Sequence, residues 1–116
     1  MYGVWPAADR IAFLDAVTES YAQAAKESGG ALVAVGDGWK AAWAVDPKLP
    51  LFGPDAFHPS PLGTYLAALV IYEAITNKDV RQTPTRAFAG NNEMFLSQET
   101  IHALQTAAHE TVLQFR

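Results

Sequence analysis

The chain has 116 residues, half of them hydrophobic and 17% charged, a composition typical of one globular domain and not of a disordered segment. Eight Lys and Arg against twelve Asp and Glu give a net charge of -4, which excludes the basic surface that a nucleic-acid partner requires. Without cysteine there are no disulfides and no thiolate metal sites. No apolar run approaches the roughly 20 residues of a membrane span, and no signal peptide opens the chain. We therefore expect one soluble domain over residues 1–116, in an undetermined compartment.

The first third of the sequence predicts a strand, a helix and a second strand. Tyr2 to Trp5 is a short, β-prone apolar run that opens the chain abruptly, as if in mid-fold, and ends at Pro6. Apolar residues at helical spacing follow from Ile11 to Ala25, and Gly29-Gly30 ends this helix. Ala31 to Val35 is a continuous apolar run, typical of a strand buried on both faces. Strand, helix and strand in this order predict a parallel sheet.

The rest of the chain predicts a stiff loop between helices. Trp39 to Val45 predicts a short helix, and five prolines then exclude a regular element from residues 46–61. Ser60 and Pro61 have the pattern of an N-cap and a first helical residue, and the apolar helix that they open is expected to be central and to close at Asn77. Residues 78–96 predict a polar loop. Ser97 is expected to cap a last helix with the apolar stripe Ile101, Leu104, Ala108, Val112 and Phe115.

The proline-rich loop contains the candidate chemistry. Asp55 lies three residues before His58, so in a tight loop its carboxylate can accept the Nδ1 proton of the imidazole and leave Nε2 free as a general base. Pro59 and the helix that follows would hold the histidine rigidly. The competing interpretation is an Asp and a His that decorate a helix-entry loop, with the carboxylate holding backbone amides.

The string from Leu51 to Ala68, LFGPDAFHPSPLGTYLAA, resembles the last block of the SGNH (GDSL-type) ester hydrolases, in which an Asp-x-x-His-Pro segment leads into a glycine-containing helix. A looser similarity extends over residues 2–77, through Val4-Trp5-Pro6 and the string GDGWKAAW that begins at Gly36. The resemblance implies the C-terminal part of an α/β fold, a truncated three-layer sandwich with a reduced parallel sheet. It also implies a small-molecule ester as substrate, His58 as general base, Asp55 as its orienter, and neither a cofactor nor a metal.

The family's Gly-Asp-Ser-Leu block, which carries the nucleophile, has no counterpart in this chain. Its serines are Ser20, Ser28, Ser60 and Ser97. Ser60 is kept as a candidate nucleophile, although a helix cap explains it better. The string GNNE that begins at Gly90 resembles a block that supplies an oxyanion donor, which would be Asn92. That string follows the His block instead of preceding it, and a simple turn is the competing interpretation.

Other conspicuous residues have plainer explanations. His102 and His109 are two turns apart on the last predicted helix and are expected to be exposed polar positions instead of zinc ligands. Trp5, Trp39 and Trp43 are expected in the core.

Three hypotheses follow: an ester hydrolase or the part of one that holds Asp55 and His58, a catalytically inactive remnant that self-associates, and a binding module that uses the same loop. A sheet of two strands leaves an exposed edge and an apolar face on the helix at 61–76. We therefore expect a homo-oligomer built through that edge and that helix face, and no membrane partner.

Overall fold

A computed structural model describes the backbone of residues 8–116 and the side chains from residue 12. Within this range lie four α-helices, which are α1 (Ala8–Ser28), α2 (Val35–Val45), α3 (Pro61–Thr76) and α4 (Gln98–Gln114). A single 3-10 turn (Val80–Gln82) and the two antiparallel strands β1 (Ala87–Ala89) and β2 (Asn92–Met94) lie between α3 and α4. The described chain is thus mostly helical.

The predicted α/β sandwich with a parallel sheet is wrong. The sheet in residues 8–116 is the antiparallel β1–β2 hairpin. Of the predicted second strand, residues 31–35, the first four are not helical but have no strand partner in the described chain, and Val35 already begins α2. The predicted first strand, Tyr2–Trp5, lies outside the described residues. An apolar run becomes a strand only when a neighbour completes its hydrogen bonds, and here the run leads into a helix instead, with Gly38 N–H donating to Ala34 O.

Helices α2, α3 and α4 enclose the core. Trp39 and Trp43 are buried as predicted, whereas Trp5 lies outside the described residues. Trp43 Nε1 donates to the carbonyl oxygen of Leu49 at 3.0 Å, so its polar atom is satisfied inside the core. The remaining members of the cluster are aliphatic or alanine, among them Leu51, Leu62, Leu66, Leu69, Val70, Val80, Leu104, Ala108 and Val112. A Cβ on Gly38 of α2 would come within 2.8 Å of Val70 on α3, so a glycine allows this close helix contact.

The predicted ends of α3 and the predicted start of α4 are confirmed, whereas α2 begins at Val35, four residues before the predicted Trp39. The hydroxyl groups of Ser60 and Ser97 accept from the N–H groups of Gly63 and Thr100, each at 3.1 Å, and cap α3 and α4. Asn77 closes α3 in the left-handed conformation. Residues 78–96, predicted as a loop, instead contain the 3-10 turn and the hairpin.

Helix α3 is less enclosed than the sequence predicts, and α1 packs against α2. On α3, Ile75 is 72% exposed although the opposite face is buried, so the helix is not central. Helix α1 is held to α2 by Leu14 and by two polar contacts, Lys40 with Asp15 and Thr18 Oγ1 with Asp37. Among residues 8–116, no helix combines the length and the hydrophobicity that a bilayer-spanning segment requires.

Candidate functional site

The loop at residues 53–60, here called the dyad loop, connects the core to the start of α3. Its two ends are tied together: Phe52 and Pro59 form an isolated antiparallel bridge, and Gly53 N–H donates to His58 O at 2.7 Å. Ser60 N–H donates to Leu51 O at 2.9 Å, and its hydroxyl donates to Pro50 O at 2.5 Å. These bonds close the loop at its base, so its tip is held by the backbone on both sides.

Gly63 allows α3 to lie directly against the strand-like segment that enters the loop. A Cβ at this position would lie 2.1 Å from the carbonyl oxygen of Leu51 and 2.8 Å from the ring of Trp39. No real Cβ contact is that short, so any other residue would push the helix away from the loop base. The glycine in the string that resembles the SGNH block therefore has a packing reason in this chain.

At the tip, the Asp55 carboxylate turns back onto the His58 ring. His58 Nδ1 lies 2.6 Å from Asp55 Oδ2, a short hydrogen bond. The other oxygen, Oδ1, accepts from the N–H groups of Phe57 and His58, each at 3.0 Å. Ala56 takes φ +55°, the left-handed region, which lets the chain reverse between the two side chains. The contacts expected from both interpretations of Asp55 thus occur together, since one carboxylate oxygen accepts from the backbone amides and the other lies against the imidazole.

Hydrogen bonding keeps the Asp55 carboxylate ionised. The His58 side chain, and then the N–H groups of Phe57 and His58, lower the pKa of Asp55 to about 2. An ionised Asp55 fixes the proton of a neutral imidazole on Nδ1 and leaves the Nε2 lone pair available. The His58 side chain is 73% exposed, and within the described residues Nε2 has no hydrogen-bond partner. The dyad can therefore accept a proton from a group that approaches from solvent.

The other predicted site residues lie apart from this dyad. Ser60 is 3% exposed, and its hydroxyl is engaged as the cap of α3 and as a donor to Pro50. Asn92 lies on β2 opposite Ala89, and no hydrogen bond in the described part of the chain links it to the dyad loop. Ser20 and Ser28 lie on α1, and Ser97 caps α4. None of these hydroxyl groups is hydrogen-bonded to His58 in residues 12–116.

A second carboxylate–imidazole cluster was not predicted. His109 on α4 was expected to be exposed, but its side chain is only 13% exposed, and Nδ1 lies 2.9 Å from Oε2 of the buried Glu73 and 3.3 Å from Oδ1 of Asp79. Glu73 Oε1 also accepts from Val80 N–H at 2.8 Å, and Arg81 lowers the pKa of Asp79 to about 2 through their side-chain hydrogen bonds. His102, in contrast, is exposed as predicted.

The donor atoms of this cluster lie close enough to consider a metal. One ligand atom from each of Glu73, Asp79 and His109 lies within 4.8 Å of the other two. In the described residues, these three side chains form the group that could hold a cation. Each of the three already has a hydrogen-bond partner in Val80, Arg81 or Glu73. The arrangement is therefore complete as a structural ion network that joins α3 to α4.

Comparisons of the chain with protein-family models, with curated proteins and with solved structures find no match.

Proposed function

We propose that the dyad loop supplies the general base and its orienting carboxylate to a serine ester hydrolase of the SGNH type. The observation that carries the proposal is the 2.6 Å contact between His58 Nδ1 and Asp55 Oδ2, made while the other carboxylate oxygen is pinned by two backbone N–H groups. A carboxylate held in this way orients the ring before any substrate arrives. The resemblance of residues 51–68 to the last SGNH block supports the same roles for both residues.

In this function His58 Nε2 removes the proton from an attacking hydroxyl group. The imidazolium that forms is stabilised by the ionised Asp55, and it then returns the proton to the leaving alcohol. Ser60 is engaged at the base of the loop, so the attacking group is either a hydroxyl supplied by another polypeptide segment or water. With water alone the rate gain is that of general-base help, about 10²- to 10⁴-fold.

The test is hydrolysis of p-nitrophenyl acetate by the wild type, by His58→Ala and by His102→Ala. Any exposed imidazole assists this activated ester to some extent, and His102 is exposed on α4 without a carboxylate partner in the described residues. We expect His58→Ala to lose most of the rate above buffer and His102→Ala to keep it. Asp55→Asn should behave like His58→Ala, because the amide no longer fixes the tautomer. Equal losses in the two histidine variants would reject the proposal.

A second candidate is a catalytically inactive, self-associating protein. Residues 31–34 support it, because the N–H groups of Ala31 and Leu32 have no acceptor within the described chain and the segment is apolar. Two copies could pair these segments antiparallel, and exposed rings such as Phe95, 89% exposed, would be covered by further contact.

Light scattering at micromolar concentration tests self-association. We expect a dimer or larger species for the wild type and a smaller mass for Ala31→Pro, which removes an N–H that has no acceptor among the described residues. Ala31→Ser keeps the N–H and is the matched control. A stable wild-type monomer would reject this candidate and leave the hydrolase proposal untouched.

A further inference from the structure

His58 is held through its backbone and through its ring. Its N–H donates to Asp55 Oδ1 at 3.0 Å, and its carbonyl oxygen accepts from Gly53 N–H at 2.7 Å. The ring lies against Asp55 Oδ2 through Nδ1, and it stands perpendicular to the ring of Phe57, with centroids 4.8 Å apart and planes at 88°. A hydrogen bond fixes one atom of a ring, and an aromatic contact also restricts its plane. The position of Nε2 is therefore set before a reactant arrives.

The remaining ring nitrogen of His58 is open to a reactant. The side chain is 73% exposed, and Nε2 has no hydrogen-bond partner in residues 12–116. In a serine hydrolase the corresponding nitrogen is engaged by the hydroxyl group that it activates. Within the described chain the lone pair of Nε2 can instead attack directly, and histidine is one of the side chains that form covalent intermediates in catalysis.

Asp55 favours such an attack in two ways. Its carboxylate accepts the Nδ1 proton, so the neutral ring presents an unprotonated Nε2. It also lies 2.6 Å from Nδ1, which shares the positive charge when the ring is acylated, and an ionised carboxylate stabilises that cation.

The last helix contains a pair with the same spacing but without the contact. Glu99 lies three residues before His102, and both side chains are exposed. In the described residues Asp55 and His58 make a hydrogen bond, whereas Glu99 and His102 make none. The two histidines are therefore alike in exposure and differ in the carboxylate contact.

We propose that His58 Nε2 is itself an acyl-accepting nucleophile toward activated acyl compounds, such as aryl esters, whose leaving group is a weaker base than an alkoxide. This activity goes beyond the proposed function, in which the ring only carries a proton, and it requires no hydroxyl group from another segment. An alkyl ester does not react in this way, because its adduct expels the imidazole in preference to the alkoxide.

The covalent step balances within the dyad and the substrate. The lone pair of Nε2 forms a bond to the acyl carbon, and the bond from that carbon to the phenolic oxygen breaks with its electron pair leaving on the phenolate. The ring keeps the Nδ1 proton and becomes an acyl-imidazolium cation beside Asp55. Water then attacks the acyl carbon, the electron pair of the nitrogen–carbon bond returns to Nε2, and the carboxylic acid and one proton are released.

Diethyl pyrocarbonate is the probe, because its acyl group leaves an adduct on imidazole that is stable enough to locate by peptide mass spectrometry. At about pH 8, where an ordinary imidazole is neutral, His58 in the full chain should be modified about tenfold faster than His102. Asp55→Asn should remove this difference. Glu99→Gln is the matched control and should change the rate at neither histidine.

Equal rates at His58 and His102, or an unchanged rate at His58 in Asp55→Asn, would overturn the inference. Ethyl acetate separates it from the proposed function, since hydrolysis of this alkyl ester uses His58 only as a base. Hydrolysis of ethyl acetate that is lost in His58→Ala, together with equal modification of both histidines, would reject the nucleophile and keep the proposed function. Faster modification of His58 in a chain that does not hydrolyse ethyl acetate would do the reverse.

Discussion

Two carboxylate–imidazole pairs in this protein have similar hydrogen-bond lengths and opposite surroundings. Asp55 and His58 are three residues apart in one loop, their atoms are 2.6 Å apart, and their side chains are 50% and 73% exposed. Glu73 and His109 are 36 residues apart on different helices, their atoms are 2.9 Å apart, and their side chains are 1% and 13% exposed. The first pair faces solvent, and the second lies between α3 and α4.

The difference separates catalytic competence from structural stabilisation. A general base has to reach its substrate, so the exposed Nε2 of His58, on a ring that Asp55 holds in place, fits the proposed role. A pair between helices acts through burial, because removal of one partner leaves an uncompensated group away from water. Exposed pairs contribute little to stability, since water replaces the lost partner. Stability and activity measurements should therefore respond to the two pairs in opposite ways.

The largest expected effect is that of His109→Ala. Without the imidazole, the buried Glu73 carboxylate keeps only the N–H of Val80 among its described partners, and the free energy of unfolding should fall by about 3–5 kcal/mol. Urea denaturation at pH 7 measures this. His58→Ala is the matched control and should lower the denaturation midpoint only slightly, because the pair is exposed. Equal midpoints for the two variants would contradict the expectation that the buried pair contributes more to stability than the exposed pair.

Gly63→Ala tests what holds the exposed pair in place. The new methyl group would meet Leu51 O and the Trp39 ring, and overpacking of this kind lowers the free energy of unfolding by about 1–3 kcal/mol or more. Thr64→Ala is the control, because Thr64 is exposed on the next position of α3 and should change stability little. A fully stable Gly63→Ala would mean that the helix shifts freely from the loop base, and the dyad would then not be rigidly mounted.

Ser60→Ala should destabilise the fold more than Ser97→Ala. Both hydroxyl groups cap a helix, and loss of a cap typically lowers stability by about 1 kcal/mol. Ser60 is buried and also donates to Pro50 O, so its removal leaves that carbonyl oxygen unpaired as well. Thermal unfolding of the two variants gives the order. A larger loss for Ser97→Ala would contradict the role of Ser60 as the tie at the loop base.

Ala→Gly substitutions should have opposite signs at positions 56 and 68. Ala56 has φ +55°, which glycine adopts freely, so Ala56→Gly should stabilise by up to about 1 kcal/mol. Ala68 is an exposed position inside α3, where glycine lowers stability by about 1 kcal/mol. Chemical denaturation of both variants compares them. Destabilisation at both positions would mean that the left-handed turn of the dyad loop is not maintained in solution.

The smallest expected change in stability concerns the exposed pair. A pH titration tests that pair most directly. The folded pKa of Asp55, about 2, lies below its ordinary value of 3.8, so its contribution to stability is present above pH 3.8 and is lost as the pH falls through about 2. Carboxyl ¹³C shifts should show this midpoint in the wild type and a higher one in His58→Ala, since the His58 hydrogen bond is its largest cause. Asp79, whose pKa of about 2 depends on Arg81, should not change in that variant.

What the sequence predicted correctly is local. Ser60, Ser97 and Asn77 act on backbone groups within four residues of themselves, and the Asp55–His58 contact spans three, so the residue types alone fix the geometry. The hairpin was missed although its signal was present. Gly90-Asn91 is a two-residue turn with Gly90 at φ +62°, but the strands that it joins have only three residues each and carry no visible alternation.

What the sequence could not supply depends on distant partners. The apolar run at 31–35 has the composition of a strand, but in the described residues it has no paired neighbour and its last residue begins α2. In the sequence, His109 is one more polar residue on the predicted outer face of α4. The packing of α3 against α4 places Glu73 beside it. A Glu among apolar residues near the end of α3 was the available signal, because a buried carboxylate requires a partner somewhere in the chain.

The contact between Gly63 and the carbonyl oxygen of Leu51 also has a practical use in finding relatives. An Asp-x-x-His pair alone occurs by chance in many unrelated chains, and a search that scores only those two positions retrieves mostly noise. Gly63, five residues after the histidine, adds a third position to the search pattern. Glycine is required there for a steric reason, because no side chain larger than hydrogen fits. A genome scan for Asp-x2-His-x4-Gly, filtered for a serine two residues after the histidine, would enrich for chains that mount the dyad on a helix in the same way.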